Sequence, residues 1–143
     1  MVYMHHVDQA EPDLRACFGF RTRRAMRALT RHYDSHLASA GLRATQFSVL
    51  AALRLRRHRD LTHLAAMLGL ERTSLLRALG TLSAAGLVHP DHRLTEVGEA
   101  RFAAALPHWQ EAQAAVAREL GAEASAIATL EKLGERLGRP ARA

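Results

Sequence analysis

A single cysteine, Cys17, stands in a chain of 143 residues. It cannot close an internal disulfide, which fits a reducing, cytoplasmic setting. No apolar run approaches the ~18–20 residues that span a bilayer, so no membrane partner is expected. The opening stretch MVYMHHVDQAEPD lacks a basic start followed by an apolar segment, and export is not supported. There is no Gly-rich phosphate loop, no HExxH and no nucleophile elbow. Carboxylates are few and dispersed, so no acid–base pair offers itself and no enzyme is expected. Long strand patterns, low-complexity tracts and internal repeats are missing as well.

Lysine is nearly absent too, because nineteen of the twenty basic residues are arginine. What is present is ordinary for a globular chain: 48% apolar and 24% charged residues, enough for one domain with a real core. The formal charge of +6 is unevenly placed. Residues 41–95 hold eight Arg against three Asp or Glu, whereas residues 96–143 hold six basic residues against seven acidic ones. A preference for Arg and Ala could be a compositional habit, but habit does not explain the unevenness. A basic centre with near-neutral flanks suits a polyanionic partner.

Periodicity predicts a mainly α fold of six helices. Pro12 suits a first turn, and Leu14, Phe18, Ala25, Leu29, Tyr33 and Leu37 recur at helical spacing up to Gly41. Thr45 can cap a second helix with Phe47, Leu50 and Leu53 inward. The basic connector RLRRHRD (54–60) follows. Thr62 can cap a short third helix that Gly69 ends, and a fourth spans roughly 71–84. Thr95 can cap a long fifth helix to about Leu120, which Pro107 should kink or re-bond. Gly121 separates a sixth, in which Ile127, Leu130, Leu133 and Leu137 keep a 3–4 spacing. The terminal RPARA should fray. At most a small hairpin fits near 88–94.

The fourth helix divides into two faces. On a helical wheel Leu75, Leu79 and Leu82 cluster, and Leu76 borders them. Thr73, Arg77 and Thr81 lie opposite, with Ser74 beside them and Arg72 nearer the apolar side. A guanidinium can grip the two acceptors of a guanine in the major groove, and hydroxyls reach base edges or phosphates. The preceding short helix and Gly-containing turn give the spacing of a helix-turn-helix, whose second helix enters the groove N-terminus first. A generic helical hairpin with a solvated face has the same periodicity.

A resemblance separates the two readings. LRATQFSVL, LAAMLGLERTSLLRAL, GLV and LTEVG, within a likeness running from Cys17 to Leu120, are similar to the MarR family of winged helix-turn-helix transcription regulators. The resemblance implies a single domain over 1–143, with a DNA-binding lobe at 42–95 and dimerisation helices at 11–41 and 96–138. It implies a homodimer that represses transcription from a near-palindromic operator and is released by a small molecule or an oxidant. The family's reader positions fall on Thr73, Ser74 and Arg77. Arg72, Thr81, Thr62 and Arg93 are further candidates for double-stranded DNA. Two such helices about 34 Å apart would meet successive major-groove faces. Leu130, Leu133, Leu137 and Trp109 would then be buried between subunits, or else within one. No cofactor is implied.

The chain departs from this family between GLV and LTE. Only His89, Pro90, Asp91, His92 and Arg93 separate Val88 from Leu94, too few for a projecting β-wing, although Pro then Asp suits a tight type I reversal. Three accounts compete: a stunted wing, a dimer of the same fold that has lost DNA binding, or a wing tip missing from the sequence as read. Unbroken peptide geometry from Val88 to Thr95 would dispose of the last.

Cys17-Phe18 resembles the start of the first helix in the hydroperoxide-sensing branch of the family, where a thiolate is oxidised and DNA released. A small buried apolar role for Cys17 is the plainer expectation. His32 with His36, and His89 with His92, could each give two metal ligands, but nothing completes a set, and no metal site is expected. Arg21, Arg24 or Phe47 could line the effector pocket that the family places between body and lobe.

Overall fold

In the computed structural model, residues 13–138 are described. Among them are six α-helices: α1 (Phe18–Leu37), α2 (Ala44–Leu55), α3 (Leu61–Leu68), α4 (Arg72–Ala84), α5 (Glu96–Leu120) and α6 (Ser125–Leu137). Short 3-10 turns at Ala38–Ala40 and Gly121–Ala124 extend α1 and introduce α6. None of the described helices is long and apolar enough to cross a membrane. Pro12 and RPARA lie outside the described residues.

The core gathers where α2, α3 and α4 meet. Val49, Leu50, Leu64 and Leu75 are fully enclosed, and Leu53, Leu79, Leu82 and Leu87 nearly so. Each buried leucine removes enough apolar surface from water to contribute about 2 kcal/mol. The long α5 lays Phe102 and Ala105 onto this cluster and packs along α1. Phe47 stacks on Phe102 and on Trp109 with ring centroids 5.1 and 5.7 Å apart. Trp109 therefore belongs to the subunit's own core. Phe47, 4% exposed, is a core residue.

Two expected caps are supplied differently. Thr45 lies inside α2, which Arg43 precedes as N-cap. The Ala44 N–H donates to Asp34 Oδ1 from α1 (2.7 Å) and the Arg43 N–H to Gln46 Oε1 (2.9 Å). Partners from a neighbouring helix and from the third turn position thus satisfy two donors at the helix start, and the helix begins ahead of Thr45. Likewise Thr62 sits within α3, and Asp60 caps it by accepting the His63 N–H at 2.8 Å. A carboxylate at a helix N-terminus meets the free N–H groups with a full charge, so Asp60 outcompetes the hydroxyl two positions on. Thr95 caps α5 as expected, accepting the Gly98 N–H at 2.9 Å. The helix runs on through Pro107 to Leu120.

The wing is reduced to one antiparallel bridge between Val88 and Leu94. The His92 N–H donates to the His89 carbonyl (2.9 Å) and the His89 N–H to the Arg93 carbonyl (2.8 Å). His92 adopts a left-handed φ of 62°. A β-turn followed by one left-handed residue is a standard three-residue hairpin closure. The stretch closes through its own backbone as a short reversal. Its base is pressed against α5: a Cβ on Gly98 would stand 2.0 Å from the Leu87 carbonyl oxygen. Only glycine lets the two backbones approach so closely.

Candidate nucleic-acid interface

The turn between α3 and α4 sets the angle of the pair. Gly69 ends α3 at a left-handed φ of 62°, with its N–H on the Ala66 carbonyl and the Leu70 N–H on the Ala65 carbonyl. This double closure satisfies the last carbonyls of α3 and sends the chain straight into α4. Leu75, Ala78, Leu79 and Leu82 then hold α4 to the core. Their burial fixes the helix's rotation and turns the opposite side out.

On that side Thr73, Arg77 and Thr81 are exposed and Ser74 is half-buried. Among the described residues Arg77 has no ion-pair or hydrogen-bond partner for its guanidinium, leaving all five donors free. The Thr81 hydroxyl donates back to the Arg77 carbonyl at 3.1 Å, so it offers an outside partner only its lone pairs. Arg72 is exposed and donates to the Thr62 hydroxyl at 3.0 Å. That bond joins the first turn of α3 to the first turn of α4, bringing both helix N-termini and their partial positive charge to one end of the lobe. Thr62 and Arg72 thus come together at that end, while Thr73 and Arg77 lie on the exposed side of α4.

Arg93 does not stand free beside them. Its Nε lies 2.6 Å from Asp91 Oδ2, and the ion pair holds the Asp91 carboxyl below the usual carboxylate range. The arginine at the wing is matched by an acid two residues away. Asp60 is also lowered, first by the His63 N–H it accepts, with the Arg59 charge adding to the effect.

Helical periodicity has nothing to say about the connector between α2 and α3. Arg54 is drawn off by Glu99 of α5 at 2.8 Å. Arg56, Arg57 and Arg59 are exposed, and none has an ion-pair partner among the described residues. The charge run of residues 54–60 is the signal in the sequence, but spacing alone does not show that its end is fastened to the first turn of α3, as the Arg59 N–H to His63 Nδ1 bond does at 3.1 Å.

Geometry sorts the other expected sites. Cys17 is exposed at the start of α1, not buried. His32 Nε2 is 3.0 Å from the Ala112 carbonyl and His36 Nδ1 is 2.9 Å from the His32 carbonyl, so both imidazoles serve helix packing. Among the described residues no three His, Cys, Asp or Glu side chains gather as a metal set. Arg21 and Arg24, with Arg27 and Arg31, line an open groove of about 600 Å³ along α1. Ile127, Leu130, Leu133 and Leu137 of α6 are 40–76% exposed. Leu130, Leu133 and Leu137, with Phe18 and Met26 of α1, line an apolar groove of about 430 Å³.

Solved structures of similar shape cover almost the whole described chain. The M. tuberculosis transcriptional regulator MosR is 36% identical with a TM-score of 0.77, and the match covers 87% of this chain and 99% of that one. MosR in complex with DNA gives 35% identity and a TM-score of 0.72, covering 86% and 99%. The transcriptional repressor CouR bound to p-coumaroyl-CoA gives 26% identity and a TM-score of 0.72, covering 89% and 96%. No protein-family model matches the chain, and no curated protein does.

Proposed function

The chain belongs to the MarR family of transcription regulators, and from that premise we propose that it is a cytoplasmic, homodimeric repressor that reads a near-palindromic operator through α4. The observation that carries this reading is the rotation of α4. Four buried side chains face the core, while Thr73 and Arg77 face solvent with the Arg77 guanidinium unpaired. An exposed guanidinium flanked by hydroxyls matches the edge of a base pair in the major groove, and Arg77 specifies guanine. Thr73 and Ser74 contact bases or phosphates beside it. Thr62, Arg72 and Thr81 support the approach, and Arg93, tied to Asp91, adds least. The lobe spans 42–95, and the flanking helical segments, 11–41 and 96–138, form the dimer body.

Relatives of this shape include one solved with DNA and one solved with a CoA thioester. The protein is accordingly a regulator whose DNA-competent arrangement a small ligand disfavours by binding the other arrangement more tightly. The exposed thiol of Cys17 is a second candidate trigger, since accessible thiols are those that oxidants reach. No catalytic role is assigned.

The reduced wing favours one rival, a dimeric interaction protein of this fold without DNA affinity. Selection from random duplexes followed by a mobility shift separates the two. A selected palindrome bound by the wild type, and bound about 10- to 100-fold more weakly by Arg77→Ala, supports the operator reading, since a bidentate base contact is worth roughly 1–3 kcal/mol. No enrichment of any duplex would leave the interaction protein in its place.

A further inference from the structure

We propose that the connector between α2 and α3, through Arg56, Arg57 and Arg59, is the second DNA-contact element of this protein and grips backbone phosphate in place of the wing. The proposal rests on the DNA-binding reading and adds a part of the chain to which that reading gives no role.

Half of the lobe's arginines are engaged. Residues 41–95 contain eight. Arg43 faces Asp34 at 3.9 Å, Arg54 holds Glu99 at 2.8 Å and Arg93 holds Asp91 at 2.6 Å. Arg72 is joined to Thr62. Arg77 projects from the recognition face. The remaining three, Arg56, Arg57 and Arg59, are all on the connector and all exposed. Three like charges within four residues repel one another unless an anion lies among them.

The connector is also in the right place. The Arg59 N–H donates to His63 Nδ1 at 3.1 Å, so the end of the connector is fastened to the first turn of α3. That same turn holds Thr62, which accepts from Arg72 in the first turn of α4. Arg59 and the leading end of the recognition helix are therefore linked through two adjacent residues of α3. A helix entering the major groove with its N-terminus first meets phosphate strands on both sides, and cations at that end face one of them. On the other side of Arg59, His58 is half-buried and its Nδ1 is enclosed. Anchoring on both sides lowers the entropy lost when the arginines engage a phosphate.

The wing is poorly suited to this task. Its reversal is short, and its arginine would have to break a 2.6 Å ion pair before reaching a phosphate. Fixed positive charge on the connector needs no such exchange. Contacts of this kind release condensed counterions and are read in the salt dependence of binding, without any knowledge of the operator.

The test uses the full-length protein and mixed-sequence duplex DNA, with affinity measured across a salt series. Replacing Arg56, Arg57 and Arg59 together by Gln is expected to make the log–log salt slope shallower by about 2.7 units per lobe, since each lost phosphate contact removes ~0.9. Arg93→Gln is expected to change it by less than about half a unit. Arg57→Gln with Arg59→Gln, which leaves the left-handed Arg56 untouched, should still lower the slope by about 1.8 units per lobe if the triple variant folds poorly. An unchanged slope in a folded connector variant overturns the proposal. So does a larger change from Arg93→Gln, which returns the role to the wing. A wild-type protein that binds no duplex at all overturns the DNA-binding reading itself, and the connector's role with it.

Discussion

The lobe formed by α2, α3 and α4 and the outer helices α1 and α6 are built on opposite terms. Among the described residues, fourteen of the eighteen buried apolar ones lie between Leu42 and Val88. In α1 the only buried residue is Leu37, and α6 has none. The same two helices carry many of the large apolar side chains left in solvent, among them Phe18 at 80% and Leu137 at 76% exposure. The lobe has its core within one chain. The outer helices carry an apolar stripe that the described residues of the same chain leave uncovered, which is the condition a second copy relieves. The exposed face of α4 is thus fixed by a core within one chain, and in the proposed dimer the second copy would set only the spacing between two such faces.

The sharpest break in this contrast is to spoil the outer stripe and leave the lobe intact. Leu130→Glu with Leu133→Glu is expected to give a monomer in light scattering, with the lobe's melting transition retained. Duplex affinity should fall on the order of a hundredfold or more, because two linked half-sites strengthen each other by at least that factor. A dimer that persists would assign the interface elsewhere.

Next in size is the core of the lobe. Leu75→Ala leaves a cavity under α4 and should cost about 2–5 kcal/mol in denaturant unfolding. Met26→Ala on the exposed stripe of α1 should cost the isolated subunit less than about 0.5 kcal/mol, as surface changes generally do. Equal costs for the two substitutions would erase the distinction between the regions.

The smallest effect belongs to the wing. Asp91→Asn removes the partner of Arg93 and frees its guanidinium. Mixed-duplex affinity should then change by less than about twofold, because the reversal is too short to bring Arg93 to the duplex; if the freed arginine did reach a phosphate, the salt slope would steepen by ~0.9. A slope steeper by that much would mean that the wing meets DNA and that the ion pair restrains it.

Much of the fold can be read from one sequence because helix period and apolar spacing report the same geometry. The division of α4 into a leucine face and an Arg/Thr face follows directly from 100° steps, and Gly69 and Thr95 mark real boundaries. The caps of α2 and α3 escape a sequence reading for a specific reason. Asp34 reaches Ala44 from another helix, and Asp60 outcompetes Thr62 by charge. Trp109 could equally have faced a partner; its stacking on Phe47 makes it part of the subunit's own core. Cys17, expected among buried apolar residues, stands in solvent at the start of α1.

What the sequence settled alone is local: helix positions and the face each must bury. These depend on neighbours three or four residues apart, whose geometry the backbone dictates. The tertiary structure decided which charges remain available. Arg54 and Arg93 are neutralised and Arg56, Arg57, Arg59 and Arg77 are not, although along the chain they look alike. Pairing depends on which side chains packing brings within a few ångströms, and such a distance has no signature in residue order.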